Sequence, residues 1–221
     1  MVESVEQAGY FGNLRTMTVR YALSEPPYLA DKVKSIAYPD GRYDYSEYEL
    51  GTYHYDSGNP ANSSFEANVG SNAVRRITLH TITNAPSGVT GRSTKDIEVL
   101  ENGRSVFQET LLMTEGGDVR LGYTARVYDE YGHVTAEYAS GSRRTDSQWG
   151  CCGKTYEKDA EGTERFYAYD ALNRLEQTVQ TGLVASGSYQ AQEPVTVTYT
   201  HDAAGRVLTE TRAAGALSQT T

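Results

Sequence analysis

The sequence predicts an all-β protein, an antiparallel meander of hairpins, and three observations predict it. A pattern of aspartate, two variable residues and then Gly or Asn recurs at Asp129, Asp159, Asp170 and Asp202, with Gly132, Gly162, Asn173 and Gly205 in fourth place. The flanks of these segments alternate apolar and polar residues with period two, the mark of strands with one buried face. No segment keeps a helical period over about 11 residues.

One copy of the pattern is a hairpin tip. Aspartate at the start of a tight turn accepts hydrogen bonds from N–H groups further along the turn. Gly or Asn in fourth place tolerates a positive φ that other residues resist. A type I turn followed by a left-handed residue is a common hairpin connection. Val119, Leu121, Tyr123, Ala125 and Val127 alternate before the turn at 129, and Val134, Ala136 and Tyr138 after it. Val195, Val197 and Tyr199 lead into the turn at 202, and Val207, Thr209 and Thr211 leave it. The copies at 170 and 202 add an arginine, Arg174 and Arg206, followed by an aliphatic residue.

Taken in order, residues 10–21 read as a turn at Gly12-Asn13 followed by a strand through Val19 and Tyr21, and Ser24 to Pro27 as a break. A hairpin is expected around Pro39-Asp40-Gly41, with Tyr43 and Tyr45 on one face. The Ser-, Asn- and Gly-rich stretch 56–72 reads as a long loop, 75–83 as a Thr/Ile strand and 84–91 as another loop. Asn102-Gly103 predicts a tight primed turn between Ile97, Val99 and the run 106–113. Residues 115–118 turn the chain into the strand 119–127, and 139–153 and 182–193 read as loops between hairpins. Asp159 precedes Asp170 by so few residues that consecutive strands must pair with their sequence neighbours. Such units need stacked neighbours to bury a face. The expected division is a diverged β-rich region over 1–118 and repeat hairpins over 119–221. With no capping unit read at either end, the expectation is a segment of a longer protein.

The run Arg165-Phe166-Tyr167-Ala168-Tyr169-Asp170-Ala171-Leu172-Asn173-Arg174-Leu175 resembles the YD repeat of RHS proteins, Y-x-Y-D-x-x-G-R-L. Tyr199-Thr200-His201-Asp202-Ala203-Ala204-Gly205-Arg206-Val207 is similar, with His in place of the second Tyr. Tyr128-Asp129 opens a looser copy with His133 where Arg is usual, and Tyr38-Pro39-Asp40-Gly41-Arg42 resembles a Y-P-D-G turn of such proteins. Trp149-Gly150-Cys151-Cys152-Gly153 is similar to a W-x-C-C motif of some bacterial RHS-like proteins. The resemblance is dense over 119–212 and diffuse before that. It implies YD repeats forming part of a β-sheet shell or spiral that encloses a C-terminal cargo, often a toxin, or presents adhesive surfaces, outside the cell or on its surface. The implied partners are further YD repeats. Neither a cargo domain nor the D-P-x-G-x-x-G-G-like self-cleavage motif of the family is found in the sequence.

Composition narrows the function classes. The net charge is −9, from 20 basic and 29 acidic residues, and no basic cluster exceeds a pair such as Arg75-Arg76, so a nucleic-acid footprint is not expected. No apolar run approaches the ~18 residues of a spanning helix. The acidic start of the chain lacks the apolar core of a signal peptide. Hydrophobic content is 38% with mean hydropathy −0.58, low for a thick core, and 18 tyrosines partly compensate.

No enzymatic site is expected. Of His54, His80, His133 and His201, two fall at turns, and no G-x-S-x-G, H-E-x-x-H, P-loop or G-x-G-x-x-G motif occurs. Cys151/Cys152 with His133 is the one nucleophile–base pairing available, and two facing carboxylates in a glycosidase-like cleft are not readable from sequence. No cofactor or metal is expected. A calcium loop needs several converging oxygens, and each turn carries one aspartate among small or apolar neighbours. The adjacent cysteines read as small, partly buried hydrophobes, a vicinal disulfide being the less common alternative. The sequon Asn62-Ser63-Ser64 falls in a loop and matters only in a eukaryotic secretory host. Carbohydrate is the second expected partner class, stacked on Tyr43, Tyr45, Tyr48, Tyr53 and Tyr55, with ordinary sheet packing as the alternative use of those rings.

Overall fold

The chain is all-β in a computed structural model that describes residues 2–9, 12–68, 72–82, 93–182 and 193–221. Every strand pairing is antiparallel, and the described residues divide into two compact units, Met1–Ala125 and Arg126–Thr221.

The first unit holds β1 (Val2–Gly9), β2 (Gly12–Arg20), β3 (Val33–Ala37), β4 (Arg42–His54), β5 (Ser64–Ala67), β6 (Ala73–Ile82), β7 (Thr94–Glu101), β8 (Arg104–Thr114) and most of β9 (Gly117–Tyr128). β1 pairs β2 from Val2↔Val19 to Gly9↔Gly12, so Gly12 and Asn13 belong to a strand and not to a turn. The long β4 serves two partners. Residues 42–51 pair β6, and residues 51–54 pair the short β5. The stretch 56–72, expected to be a loop, therefore contains a 3-10 turn at Pro60–Asn62 and a strand. The sequon's Asn62 closes that turn. The expected loop 84–91 lies outside the described residues.

One row of side chains explains where burial concentrates. Glu49, Arg75, Val99, Phe107 and Ala125 stand opposite one another across β4, β6, β7, β8 and β9. Val99, Phe107 and Ala125 are buried, as is Ala73 nearby. The Phe107 ring lies 6.2 Å from Tyr123, nearly parallel to it, and 6.3 Å from Tyr53. At the edge, Phe65 of β5 covers Gly51. A Cβ there would meet the Phe65 ring at 2.3 Å and the Glu66 carbonyl oxygen at 2.2 Å. Arg75 then stacks on the outer face of Phe65 at 4.7 Å and bonds Glu49 through Nε at 2.9 Å. A flat ring over a glycine restores the apolar cover that the missing side chain leaves out.

The second unit begins within β9 and continues through β10 (Val134–Ala139), β11 (Arg143–Trp149), β12 (Lys154–Lys158), β13 (Glu164–Tyr169), β14 (Leu175–Gln180), β15 (Val195–His201), β16 (Val207–Ala214) and β17 (Leu217–Thr220). Consecutive strands pair throughout. The stretch 139–153, expected to be a loop, forms β11, whose Arg143 to Trp149 carry too few apolar residues to announce a strand. Of the expected loop 182–193, residues 183–192 lie outside the described residues. Residues 117–125 of β9 pair with β8 and belong to the first unit.

Candidate functional site

The four aspartate turns share one hydrogen-bond scheme. Asp170 Oδ1 accepts from the N–H groups of Leu172 and Arg174, each at 2.9 Å. Asn173 N–H donates to Asp170 O at 2.9 Å, and Asp170 N–H to Arg174 O at 2.9 Å. Asp202 repeats this with Ala204, Arg206 and Gly205. Asp129 does so with Tyr131, His133 and Gly132, and Asp159 with Glu161, Thr163 and Gly162. The fourth residue takes positive φ in each: 92° at Gly132, 88° at Gly162, 62° at Asn173 and 81° at Gly205. The strand register slips by one just before the turns at Asp170 and Asp202, the bulge that such a hairpin carries. The turn at Tyr38 varies the scheme, since Asp40, two residues on, supplies the carboxylate to Arg42 N–H at 3.1 Å and Nε at 2.7 Å.

The fifth residue engages the second carboxylate oxygen. Arg174 Nε lies 2.7 Å from Asp170 Oδ2, and Arg206 Nε 2.7 Å from Asp202 Oδ2. His133 Nδ1 replaces the guanidinium at Asp129, at 3.0 Å, with its ring stacked 4.7 Å from Trp149. Thr163 has no such reach, and Arg165 approaches Asp159 Oδ2 only to 3.9 Å. The bonds from Arg174 N–H and its guanidinium hold the Asp170 carboxyl below its ordinary range, and those from Arg206 do so for Asp202. At Asp129 burial opposes ionisation, and the His133 bonds outweigh it. At Asp129, Asp170 and Asp202 both carboxylate oxygens are already engaged within the turn. Among the described residues no group of three or more His, Cys, Asp or Glu is arranged to hold a metal ion.

Arg174 reaches further than its own turn. Its Nη1 donates to Asp202 O at 3.0 Å, so one arginine closes the turn at 170 and fastens the turn at 202 to it. Arg206 holds the same place in the next turn, with its side chain 82% exposed.

The five tyrosines do not form one platform. Along β4 the side chains alternate, so Tyr43, Tyr45 and Tyr53 share a face and Tyr48 takes the other. Tyr48 donates its hydroxyl to Val33 O at 3.0 Å and meets Tyr21 edge-on at 6.0 Å. Tyr53 packs toward Phe107, and Tyr55, beyond the end of β4, is 38% exposed.

Tyr48's face carries a polar cluster that sequence reasoning missed. His80 of β6 lies between two carboxylates, with Nδ1 2.7 Å from Asp44 Oδ1 on β4 and Nε2 3.0 Å from Asp96 Oδ2 on β7. Tyr38 donates to the other oxygen of Asp44 at 2.9 Å, and Thr110 to that of Asp96 at 2.8 Å. Burial of the ring works against its charge, but the bonds to Asp44 and Asp96 outweigh it and raise the His80 pKa. The cluster borders a concavity of about 470 Å³, also lined by Arg20, Lys32, Ser46 and Arg76. The signal was present in Arg76, Thr78 and His80 alternating on one side of a strand, but nothing local shows that Asp44 and Asp96 flank that side. Both ring nitrogens of His80 are engaged by carboxylates, so the ring bridges β4 and β7. Tyr21, beside the same face, has its hydroxyl pKa pushed up to about 12, chiefly by burial.

Cys151 is exposed and Cys152 half-buried.

No protein-family model and no curated protein matches the chain. Solved structures that it is similar to include the Tc holotoxin pore of Photorhabdus luminescens, at 12% identity and TM-score 0.36, and a TcdB2–TccC3 crystal structure, at 11% and 0.38. Each alignment covers 94% of this chain and 15% of the other. No helix among the described residues is long and apolar enough to cross a membrane.

Proposed function

We propose that the chain is a non-enzymatic wall segment of the RHS/YD-repeat type, part of a β-sheet shell that encloses or presents another module outside the cell or on its surface. The observation that carries this reading is the turn-to-turn link of Arg174, which closes its own hairpin tip and holds the next. Arg206 stands in the same place with an exposed guanidinium, so a further repeat stacked on this side would receive it as Asp202 receives Arg174. Further repeats, from the same or a longer chain, are therefore the partners. The resemblance of the Tyr167 to Leu175 and Tyr199 to Val207 segments to YD repeats supplies the family, and the shared turn scheme supports it. Three-dimensional imaging of the product of the whole coding region tests the proposal. The expected result is a hollow β-sheet body with this segment in its wall. A segment packed apart from any such wall would overturn it.

A further inference from the structure

The hairpin between β11 and β12 ends in two neighbouring thiols. Trp149 stands opposite Lys154, and Gly150 N–H donates to Gly153 O at 2.8 Å, so Cys151 and Cys152 are the two central residues of a four-residue turn. The turn is anchored on one side. Gly153 has φ 150°, and a Cβ on it would meet the Tyr169 hydroxyl at 2.4 Å, while that hydroxyl donates to Lys154 O at 2.9 Å. The two thiols differ. Cys151 is exposed, beside a concavity of about 490 Å³ that it shares with His133, Trp149 and Tyr131. Cys152 is half-buried and donates its S–H to Asn173 Oδ1 at 2.9 Å. The neighbouring Cys151 thiol, then burial, pushes its pKa up. Asn173 thus has two uses: its backbone adopts the left-handed conformation of the turn, and its side-chain oxygen accepts a hydrogen bond from Cys152 that glycine could not.

We propose that Cys151 and Cys152 form a thiol–disulfide exchange site for low-molecular-weight disulfides, with Cys151 as the attacking sulfur and Cys152 as the resolving one. The Cys151 thiolate attacks one sulfur of a disulfide RSSR, the S–S bond breaks, and one RS⁻ leaves and takes up the proton that Cys151 lost. The Cys152 thiolate then attacks the Cys151 sulfur of the mixed disulfide, a vicinal disulfide forms, and the second RS⁻ leaves with the Cys152 proton. The protein gives up two electrons and two protons, and RSSR becomes two RSH. Exposure selects Cys151 for the first step, since an attacking thiol must reach the reagent. A disulfide between neighbouring residues is strained and therefore readily reduced again, so the site cycles. Closure removes the S–H donor from Asn173, so the redox state is felt at the turn of Asp170.

Incubation of the folded 221-residue chain with oxidised glutathione, followed by intact-mass measurement, tests this. The wild type is expected to lose the mass of two hydrogens and retain no glutathione. Cys152→Ser is expected to stop at a single stable adduct on Cys151, and Cys151→Ser to react several-fold more slowly. Asn173→Gly keeps the turn and frees the Cys152 thiol, so its closure is expected to be several-fold faster. Dithiothreitol is expected to restore both thiols of the wild type. A wild-type chain that keeps glutathione on its cysteines, forms only disulfide-linked dimers, or does not react would overturn the proposal.

Discussion

At the scale of single residues, the turn aspartates and His80 show ionisable groups used as fasteners. Asp170 Oδ1 holds two backbone N–H groups and Oδ2 holds Arg174, so its two oxygens have separable roles. Asp170→Ala is expected to lower the thermal midpoint more than Asp170→Asn, which keeps an oxygen for Leu172 and Arg174 N–H. Amide exchange at those two positions, measured by NMR, should quicken in the alanine variant above all. As a scale, Gly205→Ala, placing a side chain at φ 81°, is expected to cost about 1 kcal/mol. Because the Asp129, Asp170 and Asp202 carboxyls have lowered pKa values, their contribution is present above the ordinary aspartate range and is lost as pH falls through the lowered values. His80 has the opposite sign. Its raised pKa means that its stabilisation is complete below about 6.5, the ordinary histidine value, and disappears as pH rises through the folded value. Urea titrations of wild type and His80→Gln at several pH values should show their gap narrowing on the alkaline side. A gap that widened with pH would contradict the ion bridge to Asp44 and Asp96.

At the scale of elements, hairpin tips are determined locally and edges are not. The tips at Asp129, Asp159, Asp170 and Asp202 were legible because every bond in them lies within five residues. The primed turn at Asn102-Gly103 was legible for the same reason, and both residues take positive φ, 51° and 78°. β5 was not, because Ser64 to Ala67 gain their place from Gly51, a residue that precedes them in another strand. Gly51→Ala forces a methyl group into the Phe65 ring and the Glu66 carbonyl, and overpacking of that kind costs about 1–3 kcal/mol. The expected outcome is a lower urea midpoint, with exchange at Thr52 and Phe65 accelerated and the turns of the second unit unchanged. β11 escaped reading because its Arg143, Arg144, Asp146 and Gln148 are held in register by neighbouring strands and not by apolar alternation.

At the scale of the whole molecule, burial is sparse and uneven. Among the described residues, Ala73, Val99, Val106, Phe107, Leu111 and Ala125 are the buried apolar side chains of the first unit, against Ala136 and Val197 in the second. Apolar area removed from water is the main source of stability, so the second unit should open first. Hydrogen exchange followed by mass spectrometry is expected to show faster global labelling across β12–β16 than across β6–β8, and the reverse order would contradict this assignment. Leu172, Val207, Leu208 and Leu217 remain exposed in the second unit. The sequence by itself determined the strand class, the hairpin tips and the arginines that close them, because period-two alternation and five-residue hydrogen-bond rings are written in contiguous residues. Only the tertiary structure decided that His80 stands between Asp44 and Asp96, that Phe65 covers Gly51, that Arg174 fastens the turn of Asp202 and that Cys152 donates to Asn173. Each of these joins residues separated by 14 or more positions. They depend on strand register, and alternation alone leaves register undetermined.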